Sequence, residues 1–216
     1  MITGDELVKR VRVLVNEADD DSSVSLLVVD RCSFDKNIME LLPQAVGFVQ
    51  RNNSLPGKRV NVKRIAHALP VVQEDGKGYV ELPGDYVSLV SVKLDGWKRP
   101  CIHSFTGDSA MAALLDGGYS GAGVCRPASV EGVNEEGKRV LWLYPLPEGA
   151  AEVDTLLYEA VYDAAVGLEG CDACMADAVA YECAALLYTA FERYDAANMF
   201  HSLAIAACSG KANEKK

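Results

Sequence analysis

The stretch Val80-Glu81-Leu82-Pro83-Gly84-Asp85-Tyr86 runs through Val87-Ser88-Leu89-Val90-Ser91-Val92-Lys93-Leu94 to Asp95-Gly96-Trp97-Lys98-Arg99-Pro100, and it limits the fold most tightly. It reads as a strand, a Pro-Gly-Asp turn, a second strand and a tryptophan-bearing turn. Proline presets φ for a turn, glycine accepts positive φ, and valines suit a pleated, half-buried surface. None of these residues has the pattern of a catalytic centre. A chain with this block must build a sheet, and turn signals recur about every ten residues from 57 to 168. Strands are expected near 68–73, 77–82, 86–94, 97–104, 124–133, 138–144 and 152–162. Asp75-Gly76 and Asn134-Glu135-Glu136-Gly137 supply hairpin turns. Within this region 106–116 reads as a short helix, capped by Thr106 and stopped at Gly117.

Helical spacing flanks the β-rich middle. Thr3-Gly4-Asp5-Glu6 matches a capping box, and Leu7, Val11, Leu14 and Val15 then recur on one face. A second helix is expected over 34–50, with Ser33 as its cap and Ile38, Leu41, Leu42, Ala45, Val46 and Val49 buried. Pro43 predicts a kink or a restart there. The apolar run 25–29 is too short to assign. Met175, Val179, Cys183, Leu186, Leu187, Ala190 and Phe191 give a long C-terminal face. Tyr194-Asp195 should break it, with Asp195 capping a last helix along Ala196, Phe200, Leu203 and Ala207. The expected class is therefore α+β. N-terminal helices over 1–56 and a C-terminal helical hairpin over 169–216 form one bundle. A β-rich insertion over 57–168, sandwich or barrel-like, sits between them.

The 216 residues are half hydrophobic, enough to bury a core without disulfide or metal. The net charge of −10 removes the basic footprint of a DNA-gripping protein, whereas an acidic surface lets a polyanion pass without sticking. No apolar run is long enough for a transmembrane helix, so no membrane partner is expected, and residues 1–20 do not read as a signal peptide. The odd set of seven cysteines suits free thiols in a reducing compartment.

Several constellations bear on chemistry. Cys171-Asp172-Ala173-Cys174 has the spacing of half a zinc site or a redox pair, but no second pair follows, and it reads as a helix start. A cysteine from 171–183 acting with His201 or His67 would make a nucleophilic dyad. The glycine-rich 116–123 lacks the lysine and hydroxyl of a phosphate-binding loop and reads as an exposed, mobile loop, or, in an assembly protein, as one that orders against a neighbour, with Tyr119 as the candidate contact. Asp177, Glu182 and Glu192 read as a solvated face. Tyr181 and Tyr188, seven apart, are either core-edge aromatics or a subunit contact. Trp142 is expected in the core. Trp97, beside Lys98 and Arg99, is either an anchor for a protein partner or a core residue with its N–H satisfied locally. No catalytic, cofactor-binding or metal-ligating residue is expected.

The order of parts carries a resemblance. Two N-terminal helices precede a β-insertion with Leu82-Pro83-Gly84-Asp85-Tyr86, Gly96-Trp97-Lys98-Arg99-Pro100, Cys125-Arg126-Pro127 and Leu143-Tyr144-Pro145. A helix with Ala178-Val179-Ala180-Tyr181-Glu182-Cys183-Ala184-Ala185-Leu186-Leu187-Tyr188 follows. This layout resembles the head–tail adaptor, or connector ring, proteins of short-tailed and crAss-like bacteriophages. The resemblance implies a virion structural protein without an active site or cofactor. It implies a ring of twelve copies, docked under the portal at the head–tail junction after assembly in the bacterial host cytoplasm. Such a ring contacts tail proteins and lets DNA through its lumen without sequence-specific binding. The expected interface residues are Trp97, Lys98, Arg99, Tyr119, Tyr181 and Tyr188. The alternatives are a small cysteine-dependent enzyme and a generic β-sandwich binding or scaffold module.

Overall fold

A computed structural model describes residues 2–19, 31–55, 57–74, 77–117, 122–147 and 152–210. Helix α1 (Gly4–Asp19) begins where Thr3 Oγ1 accepts the Glu6 N–H at 3.2 Å, a side-chain cap on an otherwise unpaired donor. Helix α2 (Arg31–Asn52) extends beyond the expected 34–50 and does not restart at Pro43. Pro43 is exposed, while Ile38 and Leu42 before it and Ala45, Val46 and Val49 after it are all buried. Packing on both sides of the proline holds the two halves to one core despite the lost backbone donor. The run 25–29 lies outside the described residues.

At the other end, α4 (Ala173–Ala190) and α5 (Tyr194–Ser209) form a hairpin. The break falls one turn earlier than Tyr194-Asp195. Glu192 adopts a φ of 59° and the Arg193 N–H bonds the Tyr188 carbonyl at 2.9 Å, which closes α4. Arg193, not Asp195, is the N-cap of α5, and Asp195 lies in its first turn. Leu7, Val11 and Val15 of α1, Ile38, Leu42 and Val49 of α2, Met175, Val179 and Leu187 of α4, and Phe200 of α5 share one buried cluster. Each such side chain contributes about 1.5–3 kcal/mol by leaving water. The helices at the two ends of the chain therefore complete a single core.

The β-region holds β1 (Val62–Pro70), β2 (Val72–Glu74), β3 (Lys77–Glu81), β4 (Tyr86–Leu94), β5 (Ser104–Thr106), β6 (Ala128–Val133), β7 (Arg139–Tyr144) and β8 (Glu152–Ala160). One sheet has the order β1-β8-β4 and the other β2-β3-β7-β6-β5. Val80, Leu141 and Leu143 from the second sheet are buried in one cluster with Leu89, Val92, Leu94 and Leu156 from the first. The two sheets thus share a core, as layers of a sandwich do.

Three local expectations are corrected. The first strand starts at Val62 rather than 68. The segment 97–104 is not a strand: Cys101 makes an isolated bridge to Val92, and β5 follows. Thr106 is the last residue of β5, paired in parallel with Glu131, so Ser109 caps the short helix α3 (Ala110–Asp116) by accepting the Ala112 N–H. Asn134–Gly137 does form a hairpin: Gly137 has a φ of 76° and donates its N–H to the Asn134 carbonyl. Asp75-Gly76 lies outside the described residues, between the paired Glu74 and Lys77.

The chain divides into a helical unit, Met1–Val62 with Val161–Lys216, and a β-unit, Lys63–Ala160. The β-unit is narrower than 57–168 for a hydrogen-bonding reason. Arg59 and Asp172 exchange backbone and side-chain bonds, and the Asn61 amide bonds Val161 and Glu169. Ile2 and Leu168 exchange two backbone bonds. These contacts tie both linking segments to the helices. Among the described residues no helix is long and apolar enough to cross a membrane.

Candidate protein-binding surfaces

The tryptophan turn is built by Gly96, whose φ of 84° is open to glycine and strained for other residues. A Cβ there would also stand 3.1 Å from Pro147 Cβ. The Asp95 carboxylate accepts the Gly96 N–H at 2.9 Å. This turn directs Trp97 inward. Its ring is 3% exposed and its Nε1 donates to the Pro145 carbonyl at 2.8 Å. Trp97 is therefore a core residue of the β-unit and not a partly exposed anchor. The Leu143-Tyr144-Pro145 piece supplies its acceptor.

Lys98 and Arg99, by contrast, are exposed. The Lys98 N–H bonds the Val124 carbonyl at 2.8 Å, which fixes the segment against 122–126. Arg99 lines a groove of about 570 Å³ with Ile102, Phe105, Met111, Cys125 and Arg126. Ile102 is 56% and Met111 43% exposed, and Val124 and Leu114 are also at the surface. Lys98, Arg99 and Arg126 make no ion pair with a described residue, so an acidic chain here presents a cationic rim around an apolar floor. An apolar patch rimmed by polar groups is the chemistry of an interaction site.

The Leu82-Pro83-Gly84-Asp85-Tyr86 piece is scaffold for this unit. Its turn closes with the Tyr86 N–H on the Pro83 carbonyl at 3.1 Å. Asp85 accepts from Lys63 of β1 at 2.7 Å and from the Tyr158 hydroxyl of β8 at 3.1 Å, joining all three strands of the first sheet. Partial burial opposes ionisation of Asp85, but the bonds from Lys63 and Tyr158 outweigh it and hold the carboxyl below its ordinary value. Tyr86 donates to Glu131 at 2.7 Å and lies under the Arg139 guanidinium. Burial, then Glu131, pushes its phenol pKa up.

On the helical unit Tyr188 is fully buried, with its hydroxyl donating to the Val15 carbonyl at 3.1 Å. It is a core residue, because α1 packs over it, and it is unavailable as a subunit contact. Tyr181 is partly exposed. It lines a groove of about 360 Å³ between α1 and α4 with Lys9, Arg10, Val13 and Asp177, where Arg10 pairs with Asp177 at 2.5 Å. Both tyrosine rings stack on Phe200, so they do share one helical side. Tyr119 lies outside the described residues, and Trp142 is partly exposed rather than fully buried.

Glu182 is not on a solvated face. It is 4% exposed and meets His201 Nδ1 at 2.8 Å, with the Phe48 ring against the imidazole. Sequence reading missed this pair, although the apolar Val179, Ala185 and Leu186 one turn away on either side of Glu182 were a legible sign of burial. His201 is thus engaged by a carboxylate and not by a thiol. Burial pushes the thiols of Cys171 and Cys183 up to about 12, with Asp172 and Glu182 adding to the respective shifts. A cysteine nucleophile needs the opposite shift. The side chains of Cys32 and His67 are outside those described. Among the described residues no group of three or more histidines, cysteines and carboxylates is placed to hold a metal ion. No family model matches the chain, and no curated protein matches it.

Proposed function

We propose that the chain is a virion structural protein, a head-to-tail adaptor ring that docks under a bacteriophage portal, extends the DNA channel and offers a platform to the tail. The observation that carries this reading is the apolar groove at Ile102, rimmed by Arg99 and Arg126 with the exposed Lys98 next to it in sequence, borne by a chain with a net charge of −10. Such a rim is attracted to the acidic surface of a second copy. A closed ring uses head-to-tail contacts, so each copy needs two different complementary patches. The β-unit supplies this groove, and the helical unit supplies the chemically different one at Tyr181. The resemblance in layout points the same way, and it gives a ring of twelve copies at the head–tail junction of the virion. Net acidity lets DNA slide through the lumen without retention.

The test mixes purified protein with purified portal and follows co-sedimentation and negative-stain images. Rings capping the portal are expected. Absence of both co-sedimentation and rings overturns the proposal. The reversal Arg99→Glu with Ile102→Asp should abolish the rings while leaving the circular dichroism spectrum unchanged, because both side chains are exposed.

A further inference from the structure

The outer face of the five-stranded sheet carries a second cleft. α3 is only seven residues long and covers part of that face. Met111 and Leu115 of α3 line the groove at Arg99, whereas Ala112 and Asp116 line this second opening of about 570 Å³. Gly132, Trp142 and Tyr144 of the sheet form its other wall. The size falls within the range of about 300–1,000 Å³ usual for small-ligand sites.

Three features define what fits. Trp142 and Tyr144 are alternate residues of β7, so their rings stand on one face of the sheet, and both are partly exposed. Both line the opening and offer it aromatic surface. The Trp142 Nε1 makes no hydrogen bond to any described residue. Gly132 keeps that edge reachable, since a Cβ there would stand 3.4 Å from the nitrogen. The third feature is Asp116, which accepts the Tyr144 hydroxyl at 3.2 Å at the exposed rim. Burial and the neighbouring carboxylate push the Tyr144 phenol up to about 12, so it remains a donor at neutral pH. A carboxylate has roughly four lone-pair sites and accepts further donors.

We infer that this cleft is a binding site for a neutral pyranose, the sugar ring stacking on Trp142 and Tyr144 with hydroxyls bonded to the indole N–H and to Asp116. A sugar ring has an apolar C–H face for the aromatic surface and a rim of hydroxyls that both donate and accept. An apolar side chain would cover the indole N–H without giving it an acceptor, which costs affinity. A phosphorylated ligand would face Asp116 and a strongly acidic chain. This inference is independent of ring assembly.

The chain has two tryptophans, and the other, Trp97, is buried with its N–H committed, so a ligand-induced change in emission reports Trp142. The full chain is titrated with maltotriose, cellotriose and chitotriose, and with adenosine as a planar control, and binding is measured in parallel by saturation-transfer NMR. A saturable response to at least one trisaccharide is expected. Asp116→Ala, at an exposed position, should weaken it roughly tenfold, about one decade in Kd. Trp142→Phe should remove the fluorescence response and weaken the NMR-detected binding. If Trp142→Phe misfolds by circular dichroism, Asp116→Ala alone decides. No saturable signal with any of the three sugars, binding of adenosine alone, or sugar binding unchanged in Asp116→Ala overturns the inference.

Discussion

Asp85 is where the most recognisable motif of the chain does its structural work, and replacing it separates charge from hydrogen bonding. The Lys63–Asp85 side chains are 27% and 32% exposed, so solvent screens the ion pair. It contributes about 0.2–1 kcal/mol, the range of partly exposed pairs. The Tyr158 hydroxyl is different, because that residue is 3% exposed. Withdrawing the acceptor that faces it costs about 1–3 kcal/mol. Asp85→Ala removes both interactions and should destabilise the β-unit by about 1–4 kcal/mol. Asp85→Asn keeps an acceptor for Tyr158 and loses only the charge, so it should cost about 0.2–1 kcal/mol. The assay is urea unfolding followed by tryptophan fluorescence. Both tryptophans lie in the β-unit, so the signal reads that unit alone. The wild-type chain also carries a pH dependence. Asp85 titrates below its ordinary 3.8 when folded. Its stabilising contribution is therefore complete above that value and is lost as the pH falls through the lower, folded one. The gap between wild type and Asp85→Ala should be full at pH 7 and shrink below pH 3.8. Equal costs for Asn and Ala would refute the assignment to the Tyr158 bond. A gap unchanged between pH 7 and the acid limb would refute the lowered carboxyl.

Other outcomes follow from single contacts. Trp97→Phe leaves the Pro145 carbonyl without its buried donor and should cost about 1–3 kcal/mol in the same urea assay. Tyr188→Phe removes the bond to the Val15 carbonyl, and it should destabilise the helical unit by about 1–2 kcal/mol, read by far-ultraviolet circular dichroism. Iodoacetamide at pH 8 with peptide mapping should label the exposed Cys125 well before Cys171 and Cys183, whose thiols are held protonated up to about 12. Cys183 labelling first would restore the cysteine-enzyme alternative.

The sheet was legible because its turns are written in residues with fixed conformational preferences. Pro83-Gly84, Gly96 and Gly137 each mark a turn that the structure contains. The helices at both ends were legible from apolar spacing, and their shared core followed from the amphipathic faces of α1 and α2. Local character did not settle burial. Trp97 follows a turn and precedes two cations, a context that reads as surface, yet the positive φ of Gly96 rotates it under the sheet toward a carbonyl supplied by residue 145, far along the chain. Tyr188 stayed open between core and interface, and Glu182 was put on the wrong side, for a related reason. α4 is apolar nearly all round, so it has no polar face to which a tyrosine or a carboxylate can be assigned by spacing. Their partners, the Val15 carbonyl and His201, come from α1 and α5 and are set only when the helices pack. Lys98 and Arg99, with two methylene-rich cationic side chains beside a proline, needed no long-range partner to stay outside. Residues whose polar atoms depend on a distant segment were therefore either left open between core and surface, as Trp97 and Tyr188 were, or put on the wrong side, as Glu182 was. The indole N–H of Trp142 differs from these in that no described residue partners it, which leaves it open to an external acceptor.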